Sequence, residues 1–313
     1  MGIPTAEEIC LAHERIAPHI HRTAVLTCSS IDKIVGAEIF FKCENFQKVG
    51  AFKMRGATNT ILSLSKNEIR NGVATHSSGN HAQAVALAAQ KVGAKAFIVM
   101  PNSAPSIKKN AVIGYGAEVI DCKPTLQARE STLDGVLKKT GAAFVHPYND
   151  YRIIAGQATA AKELLEDIEK LDVLMTPVGG GGLLSGTALS AYYFSPETKV
   201  IAGEPSGADD AFRSFKSGKL VPSINPKTIA DGLLTSLGEK NFEIIQKYVS
   251  DILTVEENEI LEALNLIWQR MKIVIEPSSA VPVAALIKNR QRFKGKRVGI
   301  VISGGNVGLE LIH

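Results

Sequence analysis

A buried-strand pattern at 173–177 runs straight into Gly179, Gly180, Gly181 and Gly182 and then into a helical pattern over 183–191. That succession constrains the fold more than any other stretch. A short apolar run bounded by turn residues suits a strand covered on both faces, and a glycine loop hands it on to a helix. The cadence recurs. Further strands are predicted at 39–42, 72–75, 96–100, 118–121, 144–146, 200–203, 251–255 and 298–302. Helical patterns stand between most of them, among others at 81–92, 107–115, 126–140, 154–167, 257–271 and 278–288. Alternation on this scale predicts an α/β protein with largely parallel, helix-covered sheets. Gly, Pro and Asn collect at the carboxyl ends of the strands, where ligands of such sheets bind. The middle of the chain reads as four compact strand–helix units, so we expect 72–148 to form a small domain inserted into a large one made of 1–71 and 149–313.

The 313 residues, 45% of them hydrophobic, supply an ample core. Lys and Arg are dispersed, net charge is +4 and only 6% of residues are aromatic, so no nucleic-acid-binding stripe is present. Cys10, Cys28, Cys43 and Cys122 form no C-x-x-C pair, which fits reduced thiols in a cytoplasmic protein. Glu7 and Glu8 near the N-terminus and the lack of an apolar core segment there argue against a secretory signal. Ala6 stands where myristoylation needs Ser or Thr, and no apolar run is long enough for a membrane span.

Lys53 follows Phe52 where the chain enters a helical pattern. A lysine beside an aromatic at such a place can be desolvated and hold the depressed pKa that a Schiff-base lysine needs. An ordinary surface lysine is the alternative from this segment alone. The Gly179–Gly182 loop lets backbone N–H groups converge on a phosphate at a helix N-terminus. A mere turn would not need four consecutive glycines, which are entropically costly. The dinucleotide fingerprint fails here in every register, since Ser185 or Leu184 falls where its third glycine belongs, and Thr187 after Gly186 breaks the P-loop pattern. A single terminal phosphate, such as that of pyridoxal phosphate, fits better. Ser77, Ser78, Asn80 and His81 open the next helix either as caps or as a cradle for a substrate carboxylate. Ser303, in the Ser-Gly-Gly-Asn loop after the last strand, is placed to bond a cofactor ring nitrogen or simply to close a turn.

Taken together, the segments FFKCENFQKVGAFKMRGA, SSGNHAQA, AGQATAAKEL, VGGGGLLSG, GEPSGADD, TIADGL, MKIVIEP and SGGNV resemble, in order, those of the fold-type II pyridoxal-phosphate enzymes. The pattern is most similar to the serine racemase and serine/threonine dehydratase family, in particular its eukaryotic-type racemases. The resemblance spans almost the whole chain. It implies a tryptophan-synthase-β-like fold, a large domain plus an inserted small one, and a homodimer.

The resemblance also implies residue roles. Lys53 carries the cofactor, with Phe52 against its ring; Asn80 bonds the 3′-hydroxyl; Gly179 to Gly182 hold the phosphate; Ser303 faces the ring nitrogen. Ser78 is the second acid/base on the face opposite Lys53. Ser77, Ser78, Asn80, His81 and Arg129 hold the substrate. Glu204, the Ala208 carbonyl and Asp210 bind Mg²⁺ (or Ca²⁺ or Mn²⁺), with Asp209 pointing elsewhere; spacing alone would leave these acids on an exposed turn. ATP as an effector is implied at Ser29, Ser30, Ile31, Lys48, Gln83, Tyr115, Lys272 and Asn306. Against it, Val49 replaces a hydroxyl residue and Gly308 an Asp found in other members.

The implied activity is interconversion of L- and D-serine, accompanied by β-elimination to pyruvate and ammonia. The alternative is a threonine or threo-3-hydroxyaspartate dehydratase. Dedicated threonine dehydratases usually read S-A-G-N-H, with alanine where this chain has Ser78, whereas hydroxyaspartate dehydratases share S-S-G-N-H. Two other classes stand further off: a binding protein that kept the fold without turnover, and a nucleotide-dependent oxidoreductase.

Overall fold

The computed structural model describes residues 2–104 and 106–308, apart from the side chain of Ile107. Its strands, in chain order, are β1 (Val25–Leu26), β2 (Glu38–Cys43), β3 (Val73–His76), β4 (Ala96–Pro101), β5 (Glu118–Cys122), β6 (Ala143–Phe144), β7 (Val173–Pro177), β8 (Lys199–Pro205), β9 (Asp251–Val255) and β10 (Arg297–Ile302). They form a six-stranded sheet ordered β1-β2-β10-β7-β8-β9 and a four-stranded sheet ordered β5-β4-β3-β6. All pairings are parallel except β1 with β2. The apolar runs explain why: β4, β7 and β10 are buried almost throughout, as strands covered by helices on both faces must be. Each fully buried Ile or Val, such as Ile300 or Val301, contributes about 1.5–3 kcal/mol.

Helices seat closely on the large sheet because small residues let them. A Cβ on Gly56 would stand 2.5 Å from the Gln157 amide, and one on Gly156 would stand 2.6 Å from the Gly56 Cα. The helix Lys53–Leu62 therefore lies almost backbone to backbone on the helix Tyr151–Asp167. The small sheet shares one core with its neighbours, in which Val73, Ile98 and Met100 pack with Ala82, Val85 and Ala89 of the helix Asn80–Lys91 and with Met54, Ala57 and Ile61 of the helix Lys53–Leu62, while Ala74, Phe97, Val99 and Leu133 form a core of its own. Side-chain bonds that tie it to the large sheet and its loops include Asn80 Nδ2 to Glu276 Oε2 at 3.0 Å, Asn306 Nδ2 to Asn80 Oδ1 at 2.9 Å, and Lys108 Nζ to Asp231 Oδ2 at 2.9 Å.

Three local differences from the sequence reading have physical causes. Gly72 caps the preceding helix at φ +86° rather than starting β3. β6 stops at Phe144 because the His146 Nδ1 accepts the N–H groups of Tyr148 and Asn149 and turns the chain. The helix Ala6–Ile16, not among the predicted ones, starts on a capping box between Thr5 and Glu8.

Candidate active site

The predicted cofactor residues lie around one circuit of contacts at the carboxyl ends of β7 and β10. The Lys53 Nζ donates to the carbonyl of Pro147 at 2.9 Å and stands 5.1 Å over the Phe52 ring. Phe52 N–H bonds the Ser303 carbonyl at 2.9 Å, and Ala51 bridges to Gly304. Gly304 accepts from the Glu276 N–H, and Glu276 takes the Asn80 amide. On the other side, Tyr148 follows Pro147 and lays its ring over the glycine loop; a Cβ on Gly180 would stand 2.3 Å from it.

Burial drives the Lys53 ammonium down from the ordinary 10.5 to about 8, while the Glu276 carboxylate nearby pulls the other way. Glu276 itself, 4% exposed, is pushed up to about 7 by burial, partly offset by its bonds from Asn80. The sequence reading gave Glu276 no role. Its signal was an acid closing the apolar run Ile273–Ile275 just before Pro277.

The glycine loop is an open cradle. Among the described residues, no N–H of Gly179, Gly180, Gly181 or Gly182 donates to a protein acceptor, and the helix Gly182–Phe194 begins there. Gly181 needs its φ of +91°, and a Cβ would strike Leu237 and Asn241. The Gly180 carbonyl is fixed by Asn241 Nδ2 at 2.9 Å and by Gly238 N–H at 3.2 Å. Free amides at a helix N-terminus fit a terminal phosphate.

Ser303 is buried, its Oγ 3.0 Å from Ser279 Oγ. Ser279 spends its proton on the Gly304 carbonyl at 2.7 Å, so the Ser303 hydroxyl is the donor of that pair. Turned towards a ring nitrogen, it could donate but could not protonate it. The residues present thus fit pyridoxal phosphate at its aldehyde, phosphate and ring nitrogen.

The remaining candidates differ in placement. Ser77 Oγ accepts from Gly79 N–H at 3.3 Å. Ser78 is half-buried and bonds no protein group among the described residues. The His81 ring is turned into the core: Nε2 meets the Val145 carbonyl at 3.0 Å and burial pushes its pKa well down, so it offers no cation. Arg129, on the helix Leu126–Thr140, keeps a buried Nε without a partner among the described residues.

Glu204 and Asp210 are buried, not on the exposed turn that spacing suggests. The Glu204 carboxylate accepts from Ala211 and Phe212 N–H at 2.9 and 2.7 Å; Asp210 Oδ2 accepts from Leu237 N–H at 2.8 Å. The other oxygen, Asp210 Oδ1, is buried with no partner among the described residues. Burial raises both acids, Asp210 to about 6. Asp209 turns away to Arg213 at 2.7 Å. Among the described residues no cluster of three or more His, Cys, Asp or Glu gathers, so a cation here would rest on these two acids, the Ala208 carbonyl and water.

Of the residues implied for ATP, Val49 beside Lys48 and Tyr115 pack into one core with the helix that carries Gln83, and Asn306 Nδ2 bonds the Val49 carbonyl at 2.7 Å. Ser29, Ser30 and Ile31 lie elsewhere, with Ile31 fully buried in the same core as Met271 and Ile273, which flank Lys272. No side-chain hydrogen bond joins the two groups among the described residues.

Residues 16–304 match the family model described as "Pyridoxal-phosphate dependent enzyme". The chain is 50% identical over 310 residues to the beta-hydroxyaspartate dehydratase of Paracoccus denitrificans, covering 99% of this chain and 98% of that one. It is 50% identical over 318 residues to the serine racemase of Dictyostelium discoideum, covering 100% and 98%. The crystal structure of the Dictyostelium racemase superposes with a TM-score of 0.94 over 97% of this chain and 99% of that one. With a matching family model over most of its length and a site that fits the cofactor, this chain belongs to the pyridoxal-phosphate dependent enzymes.

Proposed function

We propose that this chain is a serine racemase with a serine dehydratase side activity. What supports the reading is the half-buried Ser78 hydroxyl, without a protein partner among the described residues and two residues before Asn80, whose amide is part of the circuit. Pyridoxal phosphate, when bound, supplies the electron sink for charge released at the α-carbon. The chain supplies the rest. Lys53 Nζ, easily deprotonated with a pKa of about 8, takes the α-proton. Ser78 Oγ delivers a proton on the other face and inverts the centre. Ser303, a neutral hydroxyl, would hold the ring nitrogen of the bound cofactor without protonating it, which would let loss of the β-hydroxyl compete. That loss converts serine to pyruvate and ammonia. N–H groups at the head of the helix Asn80–Lys91 and the Arg129 guanidinium receive the substrate carboxylate.

A second reading, a 3-hydroxyaspartate dehydratase, is favoured by the 50% identity to the Paracoccus enzyme. Incubation with both serine enantiomers and with threo-3-hydroxyaspartate separates them: racemised serine supports the first, and ammonia from hydroxyaspartate without racemised serine supports the second.

A divalent cation on Glu204, Ala208 and Asp210 is part of the proposal, supported by the orphaned Asp210 oxygen. ATP as an effector and a homodimeric assembly rest on the resemblance alone, and a cytoplasmic location on the four free cysteines. No helix among the described residues is long and apolar enough to cross a membrane.

A further inference from the structure

Behind Lys53 lies a cluster of four charged groups almost without solvent contact: Lys42, Glu44 and Arg55 at 0% exposure and Glu163 at 1%. The Arg55 fork is fully engaged. Nε and one terminal nitrogen reach the two Glu44 oxygens at 2.7 and 2.8 Å. Both terminal nitrogens reach Glu163 at 2.8 Å, and one also meets Thr159 Oγ at 3.1 Å. Lys42 Nζ closes the set on Glu163 at 2.7 Å and on the Thr23 carbonyl at 2.8 Å, and Thr23 Oγ bonds Glu44 at 2.6 Å. The charges cancel.

Such a cluster is a poor route to stability. Desolvating each ion costs several kcal/mol, and apolar side chains of similar volume often serve as well or better. Its placement indicates another use. Lys53 and Arg55 are two residues apart in one helix, so their side chains leave it about 200° apart. One reaches the Pro147 carbonyl while the other is gripped behind. The grip comes from two directions: Glu44 follows β2, and Glu163 lies on the helix Tyr151–Asp167. One residue further on, Gly56 N–H bonds Gln157 Oε1 at 3.2 Å, at the point where the two helices come closest.

We propose that Arg55 is a positioning residue for Lys53: the buried Lys42–Glu44–Arg55–Glu163 cluster fixes the rotation and depth of the first helical turn, and so where the Lys53 amine stands and how dry it is. This rests on Lys53 being the cofactor lysine.

Two variants test it. Arg55→Lys keeps the charge but loses the fork. The paired Glu44→Gln/Arg55→Met removes one charge of each sign and leaves Lys42 with Glu163. In each, the apo protein is exposed to pyridoxal phosphate with borohydride across pH, and attachment at Lys53 is followed by mass. The loaded enzyme is assayed for kcat and KM on serine. The wild-type protein is run first; its failure to attach the cofactor at Lys53 would refute the lysine assignment, independently of the cluster.

The expected result is a folded double variant, with the attachment midpoint moved from near 8 towards the ordinary lysine value as water reaches the amine. The kcat should fall about tenfold, equivalent to 1.36 kcal/mol, with KM changed less than about twofold. A folded variant with unchanged midpoint and kcat would overturn the proposal, as would failure of both variants to fold, which would make the cluster a stability element.

Discussion

The Lys53 amine is held 2.9 Å from the carbonyl oxygen of Pro147, across 94 residues of sequence. That one bond ties the lysine of the large sheet's helix to the segment that leaves the small sheet. The acceptor is neutral, so it orients the amine without the charge pairing that would hold the proton on it.

The pH dependence of cofactor attachment follows. A free amine attacks an aldehyde and an ammonium does not. Burial lowers the Lys53 pKa from 10.5 to about 8, so attachment of pyridoxal phosphate to the apo protein should rise through a midpoint near 8. The folded state disfavours the charged form, so this group's contribution to stability rises with pH between 8 and 10.5 and is fully unfavourable below 8. Reductive trapping across pH measures the midpoint; a value near 10.5 would show an amine open to water. Lys53→Ala should abolish attachment there and all turnover.

Ser78→Ala should suppress racemisation at least a hundredfold, the usual worth of a placed acid or base, and retain elimination from the one enantiomer whose α-proton faces Lys53. Chiral chromatography and a pyruvate assay on the same variant check this. Equal loss of both activities would make Ser78 a structural residue.

Gly180→Ala places a methyl 2.3 Å from the Tyr148 ring, which must move. Overpacking of this kind costs about 1–3 kcal/mol. Because Tyr148 lies on the phosphate loop and follows Pro147, cofactor affinity should fall about tenfold, which is 1.4 kcal/mol. Equilibrium dialysis of the cofactor reads it out, and an unchanged affinity would refute the packing argument.

The acid pair should show itself in metal dependence. Asp210 Oδ2 holds Leu237 N–H at 2.8 Å, Gly238 holds the Gly180 carbonyl, and Leu237 packs on Gly181. A cation on Asp210 would therefore steady the glycine loop. Chelation should lower the thermal midpoint and cofactor affinity together, and Asp210→Ala should remove both responses. Burial raises Asp210 to about 6 and Glu204 above its ordinary value, so Mg²⁺ binding should weaken as pH falls through 6, where protons compete. A chelator without effect on wild type would leave the pair a helix cap.

The central strands β4, β7 and β10 were legible in sequence because each is a short apolar run that burial on both faces demands, and β7 and β9 have the predicted bounds. The glycine loop was legible because glycine has few other reasons to occur four times running. What escaped was set by tertiary neighbours. The two-residue β1 exists only by pairing with β2. Glu276 looks like any acid before a proline until its carboxylate is seen on Asn80. His81, in a motif that suggests a carboxylate cradle, turns its ring to Val145. Lys42, Glu44, Arg55 and Glu163 are scattered over 122 positions, 42 to 163, and no local pattern reveals that they meet.

If Lys53 and Ser78 exchange protons on opposite faces of serine, each enantiomer must give the other. The direct test is to incubate the protein, loaded with pyridoxal phosphate and Mg²⁺, separately with L-serine and D-serine, following enantiomers by chiral chromatography and pyruvate by a coupled assay. The expected result is the opposite enantiomer from each, accompanied by pyruvate. Pyruvate or no product, with no trace of the opposite enantiomer, would contradict it.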